Sequence, residues 1–178
     1  VNKRIDAVDS FLFNSTVANH LINNGDSDSG FAISRYIDFI KKTAIETKTI
    51  QNYPDTGLIK IHYDKIKVFF DYGNLGMPPS FGHGHADCLS IEFYYNDKCV
   101  LEDRGTGTYN GDDKLRRYFR STNAHNTVTI NNQDQSVQSS RFMWKDDIIS
   151  ELVLFEKGDG GAYVLAKHHG YIERFGVI

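Results

Sequence analysis

The sequence predicts a mainly β protein, an antiparallel β-sandwich over residues 53–178 preceded by a short helical segment over residues 1–52. Three observations lead there. From Leu58 onward, apolar residues recur at every second position in short runs. Turn-forming residues break those runs at short, regular intervals, the pattern of successive hairpins. Before that point the apolar spacing is three and four, the period of a helix.

In chain order, Ile5, Val8 and Leu12, then Val17, Leu21 and Ile22, give residues 1–24 a helical pattern. Asn23-Asn24-Gly25-Asp26-Ser27-Asp28-Ser29-Gly30 is a turn-rich break. Its acidic spacing resembles a calcium loop, but the position that needs a glutamate, twelfth from Asp26, is Ile37, so an ordinary loop is expected. Residues 34–47 read as a second helix, N-capped by Ser34, with Tyr36, Phe39, Ile40 and Ala44 on one face. The two helices read as the end of an all-α layer.

The period then changes. Leu58 to Tyr63 alternates, Asp64-Lys65 turns, and 66–70 alternates back as a hairpin, with Lys60 and His62 on its polar face. Residues 73–81 are an irregular lead-in to Gly82-His83-Gly84-His85-Ala86-Asp87. A second hairpin is expected from 89–95 and 98–103, and a glycine-rich loop spans 105–111. No Gly-Lys-Ser/Thr follows that loop, so it is not a phosphate loop. Residues 114–120 are basic and aromatic. Strands are expected over 126–130, 148–156, 162–167 and 171–178, with Gly158-Asp159-Gly160-Gly161 turning between the second and third of these.

Composition narrows the function. The 178 residues hold 12 Phe, 10 Tyr and 1 Trp, aromatics that favour strands and line sugar-binding grooves. The net charge of −3 gives no global field for a polyanion, and the basic stretch is small, so nucleic acid is not an expected partner. No apolar run reaches the ~18 residues that cross a bilayer as a helix. Val1-Asn2-Lys3-Arg4 is neither an initiating Met nor a signal peptide, so the chain is expected to be a piece of a longer protein. If Asn96-Asp97 is the hairpin turn, Cys99 lies opposite position 94 or 95. Cys88 is then ~20 Å away along the strand. A disulfide needs Cα atoms within ~7 Å, so both thiols are expected to be free.

Chemistry concentrates around the two histidines. Asp103 follows His85 by eighteen residues, and His125 follows Asp103 by twenty-two. A strand pair returns Asp103 to the neighbourhood of His85. Imidazole and carboxylate are ligand types that zinc prefers, so His85, Asp103 and His125 are the candidate ligands of a divalent metal. The competing reading is ordinary hydrogen-bonded loop histidines. Arg116, Arg117 and Arg120, with Lys114, form the one basic cluster, suited to gripping carboxylates or sulfates with guanidinium forks. A solvated edge strand paired with Asp112 and Asp113 is the alternative there. Tyr109 lies between Asp103 and His125, where a neighbouring cation would suit it to general acid or base work. Packing is the plainer role for such an aromatic. A cupin-like metal oxygenase also uses His-x-His, but its glutamate follows about four residues on, whereas here the first is Glu92.

Several of these segments together resemble the heparinase II/III-like family of polysaccharide lyases. They are Gly82-His83-Gly84-His85-Ala86-Asp87 with Leu89-Ser90, then Leu101-Glu102-Asp103-Arg104-Gly105-Thr106-Gly107-Thr108-Tyr109. Arg117-Tyr118-Phe119-Arg120-Ser121-Thr122-Asn123-Ala124-His125-Asn126-Thr127 and Gln133-Asp134-Gln135 complete the set. The resemblance covers about residues 53–140 and implies that residues 1–52 end an (α/α) toroid whose remainder is missing. It implies an acidic polysaccharide substrate, cleaved by β-elimination at a uronic acid. It implies a divalent metal, zinc above all, on His85, Asp103 and His125, with His83 as the active-site histidine. Tyr109 is the match for the tyrosine near the scissile bond, with Tyr118 as its rival. A periplasmic or secreted bacterial parent is implied as well. Without the toroid's groups, the chain alone is expected to be inactive. The alternative from a different class is a metal-stabilised sandwich that binds an acidic glycan without cleaving it.

Overall fold

The computed structural model describes residues 48–176, together with the strand pair Thr16–Val17 and His20–Leu21. The helix expected over 34–47, the acidic turn at 26–30 and most of the helical pattern over 1–24 lie outside the described residues. Within that last stretch, β1 (Thr16–Val17) and β2 (His20–Leu21) pair antiparallel. β-Branched Thr16 and Val17 fit an extended backbone better than a helix interior.

The main sheet is a five-stranded antiparallel meander in simple chain order. Its strands are β3 (Lys48–Tyr53), β4 (Leu58–Tyr63), β5 (Ile66–Asp71), β6 (Ile91–Tyr95) and β7 (Lys98–Leu101). Asp64 closes the first predicted hairpin at positive φ, and Asn96 and Asp97 close the second with consecutive left-handed residues, the twist that suits a two-residue loop. Cys99 pairs with Tyr94 as expected, and both cysteines are free. The sheet begins at Lys48 and not at residue 53. The β3 sequence Lys-Thr-Ile-Gln-Asn-Tyr lacks strong alternation, and its pairing with β4 holds it in the sheet.

Several later elements differ from or add to the expected ones. Residues 114–120 belong to a helix, α1 (Asp113–Arg120), whose N-cap Asp112 accepts from the amides of Lys114 at 2.6 Å and Leu115 at 3.4 Å. A 3-10 turn, Thr122–Ala124, follows. The strand expected over 126–130 is reduced to one bridge between Ile130 and Gln133. The strand expected over 171–178 is a single helical turn, α2 (Ile172–Phe175), closed by left-handed Gly176. β8 (Gln138–Ser140) and β9 (Met143–Trp144) form a small hairpin between them. β10 (Ser150–Gly158) and β11 (Gly161–His168) form the long hairpin expected around the Gly158–Gly161 turn. β11 lies against β4. The Ser150 hydroxyl donates to the Tyr72 carbonyl, and its amide donates to Asn74 Oδ1 at 3.0 Å, fixing where β10 starts.

Two apolar clusters hold this arrangement. One joins Leu58, Phe69 and Tyr94 on the sheet, with Tyr53 against them. The other joins Leu75, Phe81, Ala86, Cys88, Trp144 and Ile148 and underlies the histidine loop. The sheet face that carries Lys60 and His62 is not wet: Lys60 is 4% exposed and His62 is 6% exposed. Alternation reveals a solvent face only when one face is open, and Ile59 on the opposite face is also fully buried.

Register places Lys60, Phe69 and Glu92 in one row across the sheet, so Phe69 separates a buried amine from a buried carboxyl. Burial, with Lys67 nearby, lowers Lys60 to about 8. Burial raises Glu92 to about 8 although the Tyr94 hydroxyl, donating at 2.8 Å, pulls it back. Between an ordinary value of 4.5 and about 8, the folded chain keeps the Glu92 proton that the unfolded chain has lost. Stability from this group is therefore complete below that window and falls as pH rises through it. Glu92→Gln keeps an acceptor for Tyr94 and carries no such loss. Its advantage over wild type is expected to grow from pH 4.5 to pH 8 by on the order of a few kcal/mol, read from denaturant midpoints. A difference independent of pH would contradict the buried-acid assignment.

Candidate functional site

The site forms where one end of the β6–β7 hairpin meets the histidine loop and the end of α1. The residues before β6 and after β7 lie at the same end of an antiparallel pair, so His85 and Asp103 approach each other. His125 arrives from the 3-10 turn, and the segment after it is pinned across that end. The Asn126 carbonyl accepts from the Ile91 amide at 3.2 Å, and its side-chain amide donates to the Glu102 carbonyl at 3.1 Å.

The loop itself is set by Gly84. A Cβ there would lie 1.6 Å from the Leu75 carbonyl oxygen, so no side chain fits between the two histidines. The Gly84 carbonyl accepts from Trp144 Nε1 at 2.9 Å and from Arg120 Nε at 3.2 Å. The Arg120 carbonyl in turn accepts from the Ala86 amide at 3.0 Å. Just beyond, the Gln135 side-chain amide pairs with both backbone groups of Cys88, at 3.0 Å each. Held at these points, the loop exposes His83 and buries His85.

The buried side brings His85 and His125 together, with Asp87 beside them and Asp103 bonded to His125. The His85 and His125 ring centroids are 5.2 Å apart. One ligand atom each from His85, Asp87 and His125 lies within 4.8 Å of the others. Asp103 Oδ2 is 2.5 Å from His125 Nδ1, and its Oδ1 accepts from the Gly105 amide at 2.7 Å. His125 Nε2 lies 3.0 Å from the Phe119 carbonyl oxygen and therefore carries a hydrogen. With that hydrogen placed, Nδ1 and Oδ2 would each present a lone pair to the other, and at 2.5 Å only a proton fits between them. Burial opposes the imidazolium, but the Asp103 hydrogen bond and the charges of Asp87 and Asp103 push His125 up to about 9. Burial raises the Asp87 carboxyl, with His125 pulling it down and Asp71 and Asp103 adding to the rise. Two imidazoles with converging carboxylates match the donor chemistry of zinc.

On the exposed side, His83 meets Tyr109, with ring centroids 6.2 Å apart. Tyr109 is positioned by its carbonyl, which accepts from Arg141 Nη1 at 3.0 Å. The Arg116 guanidinium lies 4.9 Å from the Tyr109 ring centroid. The turn before it requires Gly107, which has φ +63° and would drive a Cβ to 2.1 Å from the Phe119 ring. Tyr118, the rival tyrosine, meets Phe119 edge to face and lines a separate groove of about 650 Å³ with Lys114, Arg117, Gln138 and Arg174. Neither His83 nor Tyr109 lines that groove.

The basic cluster does not act as one surface. Arg116 is 1% exposed and Arg120 is 0% exposed, so neither presents a fork to a large polymer. Helical period explains the split. Positions 116 and 120 share the inner face of α1, whereas 114, 117 and 118 share the outer one. Arg120 stacks on Trp144, 4.7 Å from its ring centroid, and donates to the Arg141 carbonyl as well as to Gly84. Among the three arginines, Arg117 alone is exposed. Sequence reasoning missed the positioning roles of Arg120, Trp144 and Gln135 and the carboxylate of Asp87. The Asp87 signal was present, since His85-Ala86-Asp87 places two ligand types two residues apart.

The family profile described as "Heparinase II/III-like, C-terminal" matches residues 46–178. The heparin-sulfate lyase of Bacteroides thetaiotaomicron is 31% identical over 80 residues, 43% of this chain and 11% of that protein. That of Pedobacter heparinus is 31% identical over 67 residues, 36% of this chain and 10% of that protein. The matched stretch thus spans about a tenth of the length of these relatives. Among solved structures, a heparinase III gene product superposes with a TM-score of 0.64 at 17% identity, covering 93% of this chain and 28% of that one. A mutant of the heparan sulfate lyase of Pedobacter heparinus gives 0.59 at 18% identity, covering 85% and 26%. At such identity these structures establish likeness of fold, with an antiparallel β-sandwich as the common part.

Two variants test the loop clamp. Trp144→Phe removes one donor to Gly84 and keeps the ring, and is expected to cost about 1–2 kcal/mol in chemical denaturation. Gly84→Ala is expected to displace the loop outright, seen as a loss of cooperative unfolding or of protection from proteolysis across residues 82–88. A Gly84→Ala protein as stable as wild type would contradict the close approach of Leu75.

Proposed function

This chain belongs to the heparinase II/III-like family through its C-terminal domain, and on that premise we propose that it forms the sandwich side of a lyase cleft acting on a uronic-acid-containing polysaccharide. The observation that carries the reading is the pairing of exposed His83 with Tyr109, 6.2 Å apart and backed by a buried ligand cluster.

The chemistry is β-elimination. The proton on C5 of a uronic acid is α to a carboxylate and too weakly acidic to leave unaided. Neutralising that carboxylate stabilises the enediolate that develops as the proton departs. His83 and Tyr109 supply the proton transfers: one removes the C5 proton, and the tyrosine hydroxyl returns a proton to the leaving glycosidic oxygen. The oxygen leaves with the C4 bond, a C4–C5 double bond forms, and no water is consumed. A pair of carboxylates spaced for hydrolysis is therefore not required. Groups that neutralise the substrate carboxylate are assigned to the helical side of the cleft, beyond the described residues. The substrate then lies between two walls, and the 178 residues by themselves are expected to release no unsaturated product.

His85, Asp103 and His125 would hold a divalent metal, with zinc best matched to the donors. When bound, such an ion would neutralise buried carboxylate charge and tie the histidine loop to the β6–β7 end. Arg116 is a positioning residue behind Tyr109 in this reading, and Arg120 positions the loop. Exposed Arg117 remains available to an anionic sugar. The cupin-like alternative does not fit, because the sheet is an open five-stranded meander and the family is a different one.

In the full-length parent, His83→Ala and Tyr109→Phe are each expected to lower kcat by about 10²–10⁴ with unchanged metal content, followed by the ultraviolet absorbance of unsaturated uronate ends. A parent that binds an acidic glycan and never produces unsaturated ends would replace this reading with the non-catalytic glycan-binding sandwich.

A further inference from the structure

We propose that the groove on the outer face of α1 is a second binding site for an acidic glycan, distinct from the His83–Tyr109 face. Lys114, Arg117 and Arg174 take its carboxylate or sulfate groups there, and the Tyr118 ring takes the face of a sugar. The proposal goes beyond the lyase reading, since it concerns the holding of a glycan and breaks no bond.

The groove is assembled from separate parts of the chain. Lys114, Arg117 and Tyr118 stand at spacings of three and four on α1, so helical period puts them on one stripe. Arg174 arrives from α2, and Asp134 and Gln138 from the segment between. The volume of about 650 Å³ falls in the ~300–1,000 Å³ range usual for ligand sites.

Charge is concentrated here on a chain whose net charge is −3. Among the described lining residues three are cationic and Asp134 is the one acid. The Asp134 carboxylate is engaged elsewhere: Oδ1 accepts from the Thr122 amide at 2.9 Å and Oδ2 from the Gln138 side-chain amide at 3.3 Å. Among the described residues no carboxylate pairs with Lys114, Arg117 or Arg174, whereas Lys67, Arg141 and Lys167 pair with Asp97, Asp113 and Glu151. Unneutralised cations converging on one groove suit an anionic ligand.

Both guanidinium groups are held in advance. Arg174 Nη2 donates to the Gly170 carbonyl at 3.0 Å and to the Asp134 carbonyl, and the group lies 5.5 Å from the Tyr171 ring centroid. Arg117 Nη1 donates to the Gln138 carbonyl at 3.4 Å, and the Gln138 side chain donates back to the Arg117 carbonyl at 2.8 Å. A fork fixed before binding loses less freedom when an anion arrives. Tyr118 meets Phe119 edge to face and is still 48% exposed, so its ring is supported and open to a sugar. Exposed Asn123 and Asn132 add amides for hydroxyl groups. Single-stranded nucleic acid fits less well, because it needs successive aromatic platforms and Tyr118 is the one aromatic among the described lining residues. A second hold on a long glycan raises its effective concentration at the protein without a new catalytic group.

The test follows hydrogen exchange in the full-length protein carrying His83→Ala, which keeps the probe uncut. The probe is a heparin-derived decasaccharide, which carries both carboxylate and sulfate. Exchange is expected to slow over residues 114–123 and 132–138. The added pair Lys114→Ser and Arg117→Ser is expected to abolish that protection and to weaken binding by about tenfold or more. Both side chains are exposed, so the melting temperature is expected to hold. Protection confined to residues 82–88 and 105–111 overturns the proposal, as does a Lys114→Ser, Arg117→Ser protein that binds and is protected like its parent. Should that variant fail to fold, the map without it decides by the presence or absence of protection over 114–123. A single-stranded oligonucleotide that binds the groove more tightly than the decasaccharide overturns the glycan assignment. Groove protection in a parent that, with His83 intact, never cleaves the glycan removes the lyase reading and leaves this one standing.

Discussion

The carbonyl oxygen of Gly84 is the point on which this site depends. It accepts two hydrogen bonds, one from the Trp144 indole and one from the Arg120 guanidinium, while the residue itself presses against the Leu75 carbonyl. A chain held at that one peptide cannot present both flanking histidines to the same side. His83 goes to solvent beside Tyr109, and His85 goes inward to His125. One local constraint thereby separates an exposed face suited to proton transfer from a buried face suited to holding a cation.

The constraint works because α1 is amphipathic in an unusual sense. Its buried face carries two arginines in place of aliphatic side chains. Each guanidinium is matched to its surroundings, Arg120 by carbonyl oxygens and the Trp144 ring, Arg116 by the rings of Tyr109 and Phe142. A planar fork can satisfy several carbonyls at once and still stack, which an ammonium cannot. The buried arginines therefore fasten the loop to the helix and support the tyrosine, and the exposed arginine of the three, Arg117, lies on the outer face of α1.

Buried charge recurs elsewhere in the fold and follows the same logic. Glu92 and Lys60 lie in the sheet interior, separated by Phe69, and burial moves both toward their neutral forms. At the His85–His125 cluster the charges of Asp87 and Asp103 favour the imidazolium of His125. The first arrangement solves the desolvation problem by proton uptake and release. The second solves it by pairing a histidine with the carboxylates.

The sequence by itself determined the mainly β character, the two hairpins of the central sheet, the long hairpin at the Gly158–Gly161 turn and the free cysteines. Each depends on period-two alternation, turn residues or chain reach, which are local properties. Hairpin return, a property of chain reach, also accounts for Asp103 lying at the sheet end where it meets His125. Tertiary structure alone decided the rest. Residues 114–120 form a helix because Asp112 caps them and Arg116 and Arg120 find buried partners, which no window of sequence displays. The face of Lys60 and His62 is interior because other elements cover it, and residues 126–130 leave strand geometry to pin the site. Asp87 stood two residues from His85 in plain view, but its nearness to His125 exists only once Gln135, Arg120 and Trp144 have folded the loop around it.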